Sequence, residues 1–246
     1  MTETVKNILI TGANKGIGFA TARAFAQAGH TVLLGVRDRE RGTAAAAELA
    51  ACGLGARFIH MDVSAPDVVI AAASLIEHEY GKLDVLINNA GITRDRPHAP
   101  TDLPIDRLRE TYETNVFGVV TVINAMIPLL RRSASASIVN VSSSLGSMAS
   151  LSDPNAPMWQ YANLLAYNSS KTALNAITLV YAQTLRSEGI AVNAIDPGYV
   201  ATDLNNQAGP LSADEAGASI ALALKELDGN PATGAFLSLD GAHQPW

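Results

Sequence analysis

A chain of 246 residues with 48% hydrophobic content holds enough apolar surface for one large core, and its single cysteine, Cys52, excludes an internal disulfide. The formal net charge of -6 and a pI near 5.3 argue against a nucleic-acid backbone or an anionic membrane as partner, since both select basic surfaces. The five histidines, His30, His60, His78, His98 and His243, stand at no metal-ligand spacing, so no metal site is expected.

Residues 1–6 lack the basic-then-apolar pattern of a signal peptide, and no uninterrupted apolar run approaches the roughly 18 residues of a membrane span. A cytoplasmic protein is expected. The small residues around Cys52 predict a buried or half-buried thiol.

Residues 5–10 form a short apolar run, then come Thr11, Gly12, Ala13, Asn14, Lys15, Gly16, Ile17 and Gly18, and residues 19–28 resume at helical spacing. That order is strand, glycine turn, helix. Glycines let the backbone approach a pyrophosphate closely, and a helix N-terminus offers unpaired N–H groups and a positive dipole end. The glycine spacing differs from G-x-G-x-x-G, and the Lys-Ser/Thr ending of a P-loop is missing.

A second strand, residues 31–36, ends where an acid would hold the ribose of NAD and an arginine the 2′-phosphate of NADP. The sequence there reads Val36, Arg37, Asp38, Arg39. Arg37 favours NADP, with Lys15 as a second cation facing that phosphate. Asp38 turned inward would favour NAD instead, unless Arg39 and Arg41 pair with it at the surface.

Residues 40–51 read as a helix and 56–60 as a strand. Asp62 follows, placed either to bond an adenine amino group or to cap the helix predicted over 66–80. A buried strand over 83–87 leads into Asn88, Asn89, Ala90 and Gly91, small and amide residues that suit a ligand at the sheet's edge. A long helix over 104–131 carries Asn115 among Val116, Val119 and Val120, where an asparagine needs a partner or a water. Residues 137–142 form a strand with Ser143 at its end. The stretch 144–161 shows no periodicity and reads as a loop over the site.

The helix over 164–185 sets Tyr167 and Lys171 four residues apart, on one face and one turn from each other. An ammonium beside a phenol favours the phenolate and draws its pKa down, which fits the phenol for proton transfer to or from an alcohol oxygen. A strand over 190–195 precedes Asp196, Pro197, Gly198, Tyr199, Val200, Ala201 and Thr202. Ser212 caps a helix to about residue 226, and 235–239 is the last strand. Seven strands alternating with six helices give an α/β fold, one domain over 1–246, with a doubly wound parallel sheet and helices on both faces.

These pieces, taken together, resemble the short-chain dehydrogenase/reductase family over nearly the whole chain. The turn from Thr11 to Gly18, Asp62, Asn88 to Gly91, Asn115, Ser143, Tyr167 with Lys171, and Pro197 with Gly198 and Thr202 all stand in the family's order. The turn sequence, Arg37 with Asp38 and the final Trp246 look most like NADPH-dependent carbonyl reductases. The resemblance implies a single Rossmann domain and reversible reduction of a ketone or aldehyde. Tyr167 would be the acid and base, and Ser143 would hold the substrate oxygen. Lys171 would lower the phenol's pKa and bind the nicotinamide ribose, while Asn115 would anchor a water that relays protons. Gly12, Asn14, Lys15, Gly16, Ile17, Gly18, Arg37, Asp62, Val63, Asn89, Ala90, Gly91, Pro197, Gly198, Val200 and Thr202 would hold NADP(H) together with Tyr167 and Lys171. Ser143 is chosen over Ser142 and Ser144 because the family's serine precedes Gly146 by three.

Tyr167 stands 24 positions after Ser143, well beyond the spacing of most members, so 144–161 contains an insertion. A homodimer or homotetramer through the helices holding Asn115 and Tyr167 is expected, with a monomer as the alternative. Two rival functions are a non-catalytic NADP sensor, which would be free to lose Tyr167 or Lys171, and a sugar-nucleotide epimerase or dehydratase, which needs a longer stretch after Thr202. Substrate walls are expected at Thr93 to Arg96, at Met148 and Trp159, and at Tyr199 to Gly209. Arg94 and Arg96 are placed to attract an acidic substrate or simply to be solvated.

Overall fold

In the computed structural model, which describes residues 4–226 and 232–246, seven strands form one sheet in the order β3-β2-β1-β4-β5-β6-β7, every neighbouring pair parallel. They are β1 Asn7–Thr11, β2 Thr31–Val36, β3 Ala56–His60, β4 Val85–Asn88, β5 Ser137–Val141, β6 Ala191–Ile195 and β7 Phe236–Leu237. The order reverses between β1 and β4, and a parallel sheet opens a crevice at such a switch point beyond its strand ends. Residues 1–3, at the start of the predicted 1–246 domain, and the stretch 227–231 lie outside the described residues.

Side chains alternate across the strands and so fill two cores. Leu9, Leu33, Leu86, Ile138 and Val192 face one side, and Ile8, Ile10, Val32, Leu34, Ile87 and Val139 face the other. The helices α1 Gly16–Gln27, α2 Arg39–Ala51 and α8 Ala213–Glu226 cover the second side; α3 Pro66–Tyr80, α5 Gly118–Leu130 and α7 Leu165–Leu185 cover the first. Ser212 and Glu215 form the reciprocal cap expected before α8.

Two segments and one residue differ from the sequence reading here. The helix expected over 104–131 is α4 Ile105–Tyr112, a π turn Glu113–Phe117, and α5. By length and composition the run Ile105–Leu130 is apolar enough to cross a membrane, although its valines and leucines at 116, 119, 122, 129 and 130 are buried in the core. The stretch 144–161 is not an irregular loop. It holds a 3-10 turn Ser144–Gly146, α6 Met148–Ser152, and a second 3-10 turn Trp159–Tyr161. Segments this short show no hydrophobic repeat. Cys52, expected to be buried or half-buried, is exposed at the C-cap of α2.

A buried polar ladder sets the rotation of α7 on the sheet. Asn88 Nδ2 donates to Asn140 Oδ1 at 2.9 Å, Asn140 Nδ2 donates to Thr178 Oγ1 at 2.9 Å, and Ser142 Oγ donates to Asn175 Oδ1 at 2.6 Å. Buried polar groups left unpaired cost more than the net gain of pairing them, so these bonds favour one orientation of α7, although Asn88 Oδ1 stays without a partner among the described residues. That orientation turns Tyr167 and Lys171 toward the end of β5.

Candidate active site

A groove of about 1350 Å³ runs across the carboxyl ends of the strands, and Gly12, Arg37, Ser143, Tyr167, Lys171 and Tyr199 are among its walls. At its β1 end the turn fits a dinucleotide pyrophosphate. Gly12 has φ +68°, and a Cβ there would lie 3.0 Å from Ala90 Cα. Gly18 serves packing instead: a Cβ would lie 2.8 Å from the Gly12 carbonyl oxygen. No acidic residue stands in the first turn of α1 and no side chain caps it, so the N–H groups at Gly16 and Ile17 keep their positive end for an anion. Asn14 and Ile17 also line the groove.

Arg37 lines the groove and makes no ion pair or hydrogen bond through its guanidinium among the described residues. Asp38 faces away from the NAD role: it caps α2 by accepting from Arg41 N at 3.0 Å and pairs with Arg41 Nε at 3.7 Å. Arg39 bonds His60 instead. Lys15 differs from expectation, because its ammonium is paired with the Asp203 carboxylate across the groove rather than free to meet a phosphate. Asp62 is not the cap of α3, which is Ala65; its Oδ1 accepts from Ser64 N and Oγ. Beside it, Val63 closes the wall. The Asn89 amide donates to the carbonyls of Thr11 and Gly12, and Thr11 Oγ1 accepts from Asn89 N and Ala90 N. Asn89 therefore braces the glycine turn, a use that spacing did not reveal.

The structure sorts the three serines after β5. Ser142 is buried against Asn175, the Ser144 hydroxyl counters the rise in the Asp196 pKa, and Ser143 counters the rise in the Tyr167 pKa. Ser143, chosen over its neighbours above, lines the groove with Tyr167 and Lys171. Gly146 lies where it does because a Cβ would meet the Lys171 backbone at 2.8 Å. Lys171 Nζ donates to the Val141 carbonyl at 2.7 Å and sits 5.8 Å from the centre of the Tyr167 ring.

The electrostatics correct the sequence reading. Burial pushes the Tyr167 phenol up to about 12; the Ser143 hydrogen bond opposes that and the negative charge of Asp196 adds to it. Lys171 is itself drawn down to about 8 by burial, against the pull of Asp196. Desolvation disfavours both charged forms and is the largest cause of each shift. Asp196 was not singled out by the sequence as a charge in this site. Burial raises its pKa, and N–H groups of Gly198 and Ser144, the Ser144 hydroxyl and the Lys171 charge oppose the rise.

Asn115 lies in the π turn, fully buried, and π turns often re-aim residues at functional sites. Its Nδ2 donates to Ile92 O at 2.9 Å and Ser170 Oγ at 3.0 Å, and its Oδ1 accepts from Ile92 N at 2.9 Å. On its side chain, the second lone pair of Oδ1 is left for the water expected here. Gly91 packs beside it, 3.5 Å from that oxygen for a built Cβ. Gly198 has φ +73° and donates to Asp196, and Pro197, Val200 and Thr202 line the groove around it.

Asp95 also escaped the sequence reading. It is 2% exposed, and its carboxylate accepts from Ala166 N at 2.7 Å and Tyr167 N at 3.0 Å. The acid thus caps α7 from a loop 72 residues away, which no local pattern announces. Asp95→Ala, which strands both N–H groups, is expected to lower stability by about 1–3 kcal/mol, and Asp95→Asn to recover part of that in urea unfolding. A midpoint unchanged in Asp95→Ala removes the role.

The predicted substrate walls are found only in part. Thr93, Arg94, Arg96 and the segment after Tyr199 line the groove, but Met148 lines a separate small hollow and Trp159 lines neither. Their places are taken by Met158 and Tyr161.

Residues 6–211 match the family model for short chain dehydrogenase. A Penicillium roqueforti protein, short-chain dehydrogenase anuI, is 37% identical over 227 residues, covering 89% of this chain and 88% of its own length. The (+)-neomenthol dehydrogenase of Arabidopsis thaliana is 33% identical over 293 aligned positions, covering 96% of this chain and 97% of its own. Among solved structures, an NADPH-bound carbonyl reductase from chicken fatty liver superposes with a TM-score of 0.87 at 29% identity, over 99% of this chain and 100% of that one.

Proposed function

The chain belongs to the short-chain dehydrogenase family of oxidoreductases, and on that footing we propose that it is an NADPH-dependent enzyme that reversibly reduces a ketone or aldehyde. The observation that carries this reading is the placement of Ser143, Tyr167 and Lys171 on the same groove as the glycine turn and the unpaired Arg37. The likeness to a carbonyl reductase that binds NADPH supports it.

Bound NADPH supplies a hydride for the carbonyl carbon. Ser143 and Tyr167 hold the carbonyl oxygen, and Tyr167 passes its phenolic proton to that oxygen as negative charge gathers there. Lys171, held by the Val141 carbonyl, stabilises the phenolate left behind. Alcohol oxidation runs through the same groups in reverse. Following NADPH absorbance with a panel of activated ketones is expected to show consumption; no turnover with any carbonyl compound, and none of NADP⁺ with secondary alcohols, defeats the proposal.

We also propose that two or four copies associate through α5 and α7. Phe117, the last residue of the π turn leading into α5, is 55% exposed and Val180 on α7 62% exposed, an apolar surface that a second copy of the same face would cover. Light scattering is expected to give the mass of two or four chains of 25.7 kDa; the mass of one chain rejects it.

A further inference from the structure

Besides Arg37, the groove holds a second guanidinium with no ion-pair or hydrogen-bond partner among the described residues, that of Arg96. The other cations along it are committed: Lys15 to Asp203, Arg94 to Glu110 at 2.9 Å, and Lys171 to the Val141 carbonyl. Arg37 is accounted for by a cofactor phosphate under the reading above, and Arg96 is not accounted for at all.

Arg96 is exposed, but the backbone that carries it is held in place. The preceding residue is Asp95, whose buried carboxylate holds the backbone N–H of Tyr167 itself. Residue 96 is therefore anchored one peptide away from the clamp that fixes the reacting phenol. Tyr161 and Tyr199 share this part of the groove, their hydroxyls 3.2 Å apart and their rings 5.7 Å apart. The Tyr199 phenol is pushed up chiefly by its hydrogen bond with Tyr161, and the positive charge of Arg96, which lines the same groove, opposes that shift.

One of the two phenols donates to the other, which leaves one O–H and the guanidinium fork as donors. The carboxylates of the groove have partners of their own, Asp62 accepting from Ser64. Asp196 is held by Gly198 and Ser144, and Asp203 by Lys15. Leu145, Met158 and Leu164 supply apolar lining. A planar anion on an otherwise apolar molecule matches this set, because a guanidinium fork pairs two N–H groups with two oxygens. We propose that the substrate is an oxo acid, whose carboxylate pairs with Arg96 and a hydroxyl of the Tyr161 and Tyr199 pair while its carbonyl oxygen meets Ser143 and Tyr167. This inference rests on the oxidoreductase reading above.

The test compares oxo acids with their methyl esters, NADPH as reductant, in the wild-type enzyme and in Arg96→Gln. The wild-type enzyme is expected to favour the acid in kcat/KM by about tenfold or more, and Arg96→Gln to lose about 10- to 100-fold on the acid while the ester stays within about twofold. Arg96→Lys, which keeps the charge without the fork, is expected to fall between them. Equal use of acid and ester by the wild-type enzyme, or an Arg96→Gln loss shared by both, overturns the inference and leaves carbonyl reduction standing. Absence of turnover with every carbonyl compound, neutral diketones included, overturns the oxidoreductase reading and this inference with it.

Discussion

Tyr167→Phe is expected to lower kcat for carbonyl reduction by about 10²–10⁴-fold, the usual worth of a placed general acid, with NADPH affinity changed less than about threefold. The substitution deletes one hydroxyl and leaves the ring, so the packing of α7, its Asp95 cap and the Lys171 contact with Val141 persist. What is lost is the proton that neutralises the developing alkoxide. Turnover in Tyr167→Phe equal to the wild type would remove the mechanism. The pH dependence follows with a definite sign. With the phenol pushed up to about 12, the donor form persists throughout the neutral range, so Tyr167 imposes no loss on reduction there. Lys171, at about 8, is charged below that value and neutral above it. Reduction is expected to hold steady through neutral pH and to decline as pH rises through about 8, where the ammonium that stabilises the nascent phenolate is lost. A rate that instead climbs through that interval contradicts the assignment of Lys171.

Arg37→Asp is expected to cut kcat/KM for NADPH by about 10- to 100-fold, as for loss of a charge-assisted contact, while NADH changes less than about threefold. The guanidinium is exposed and carries no partner of its own among the described residues, so its charge is available to a 2′-phosphate. Exposure also means screening, and the NADPH preference of the wild-type enzyme is expected to shrink as salt is raised. Equal losses with both cofactors would show that Arg37 shapes the strand end rather than reading the phosphate. Asp38 does not oppose this, because its carboxylate is engaged in capping α2. Lys15 contributes to the preference only if it leaves Asp203, so Arg37 is the residue whose change is expected to dominate.

The strands and the long helices were legible because their cause is local. The apolar run through Ile8, Leu9 and Ile10, and the turn that follows, are properties of neighbouring residues, and the same holds for the four-residue spacing of Tyr167 and Lys171. The π turn at Glu113–Phe117 was not legible, since it exists to let Asn115 reach Ile92 and Ser170, one of them 55 residues away. Nor was α6, whose five residues are too few to show a period. Met148 and Trp159 were expected in the substrate wall on apolar character alone, and the chain places Met158 and Tyr161 there instead.

Residue order alone thus determined the parallel α/β architecture, the glycine turn, the group of Ser143, Tyr167 and Lys171, and the candidate phosphate reader Arg37. Three-dimensional packing determined the charge state of that group, the partners of Lys15, Asp95 and Asn115, and which arginine at the groove's mouth stays unpaired. The physical reason is range. Backbone preference and hydrophobic period act over a few neighbouring residues, whereas desolvation and ion pairing depend on groups that only the completed fold brings together, as Asp95 and Tyr167 are.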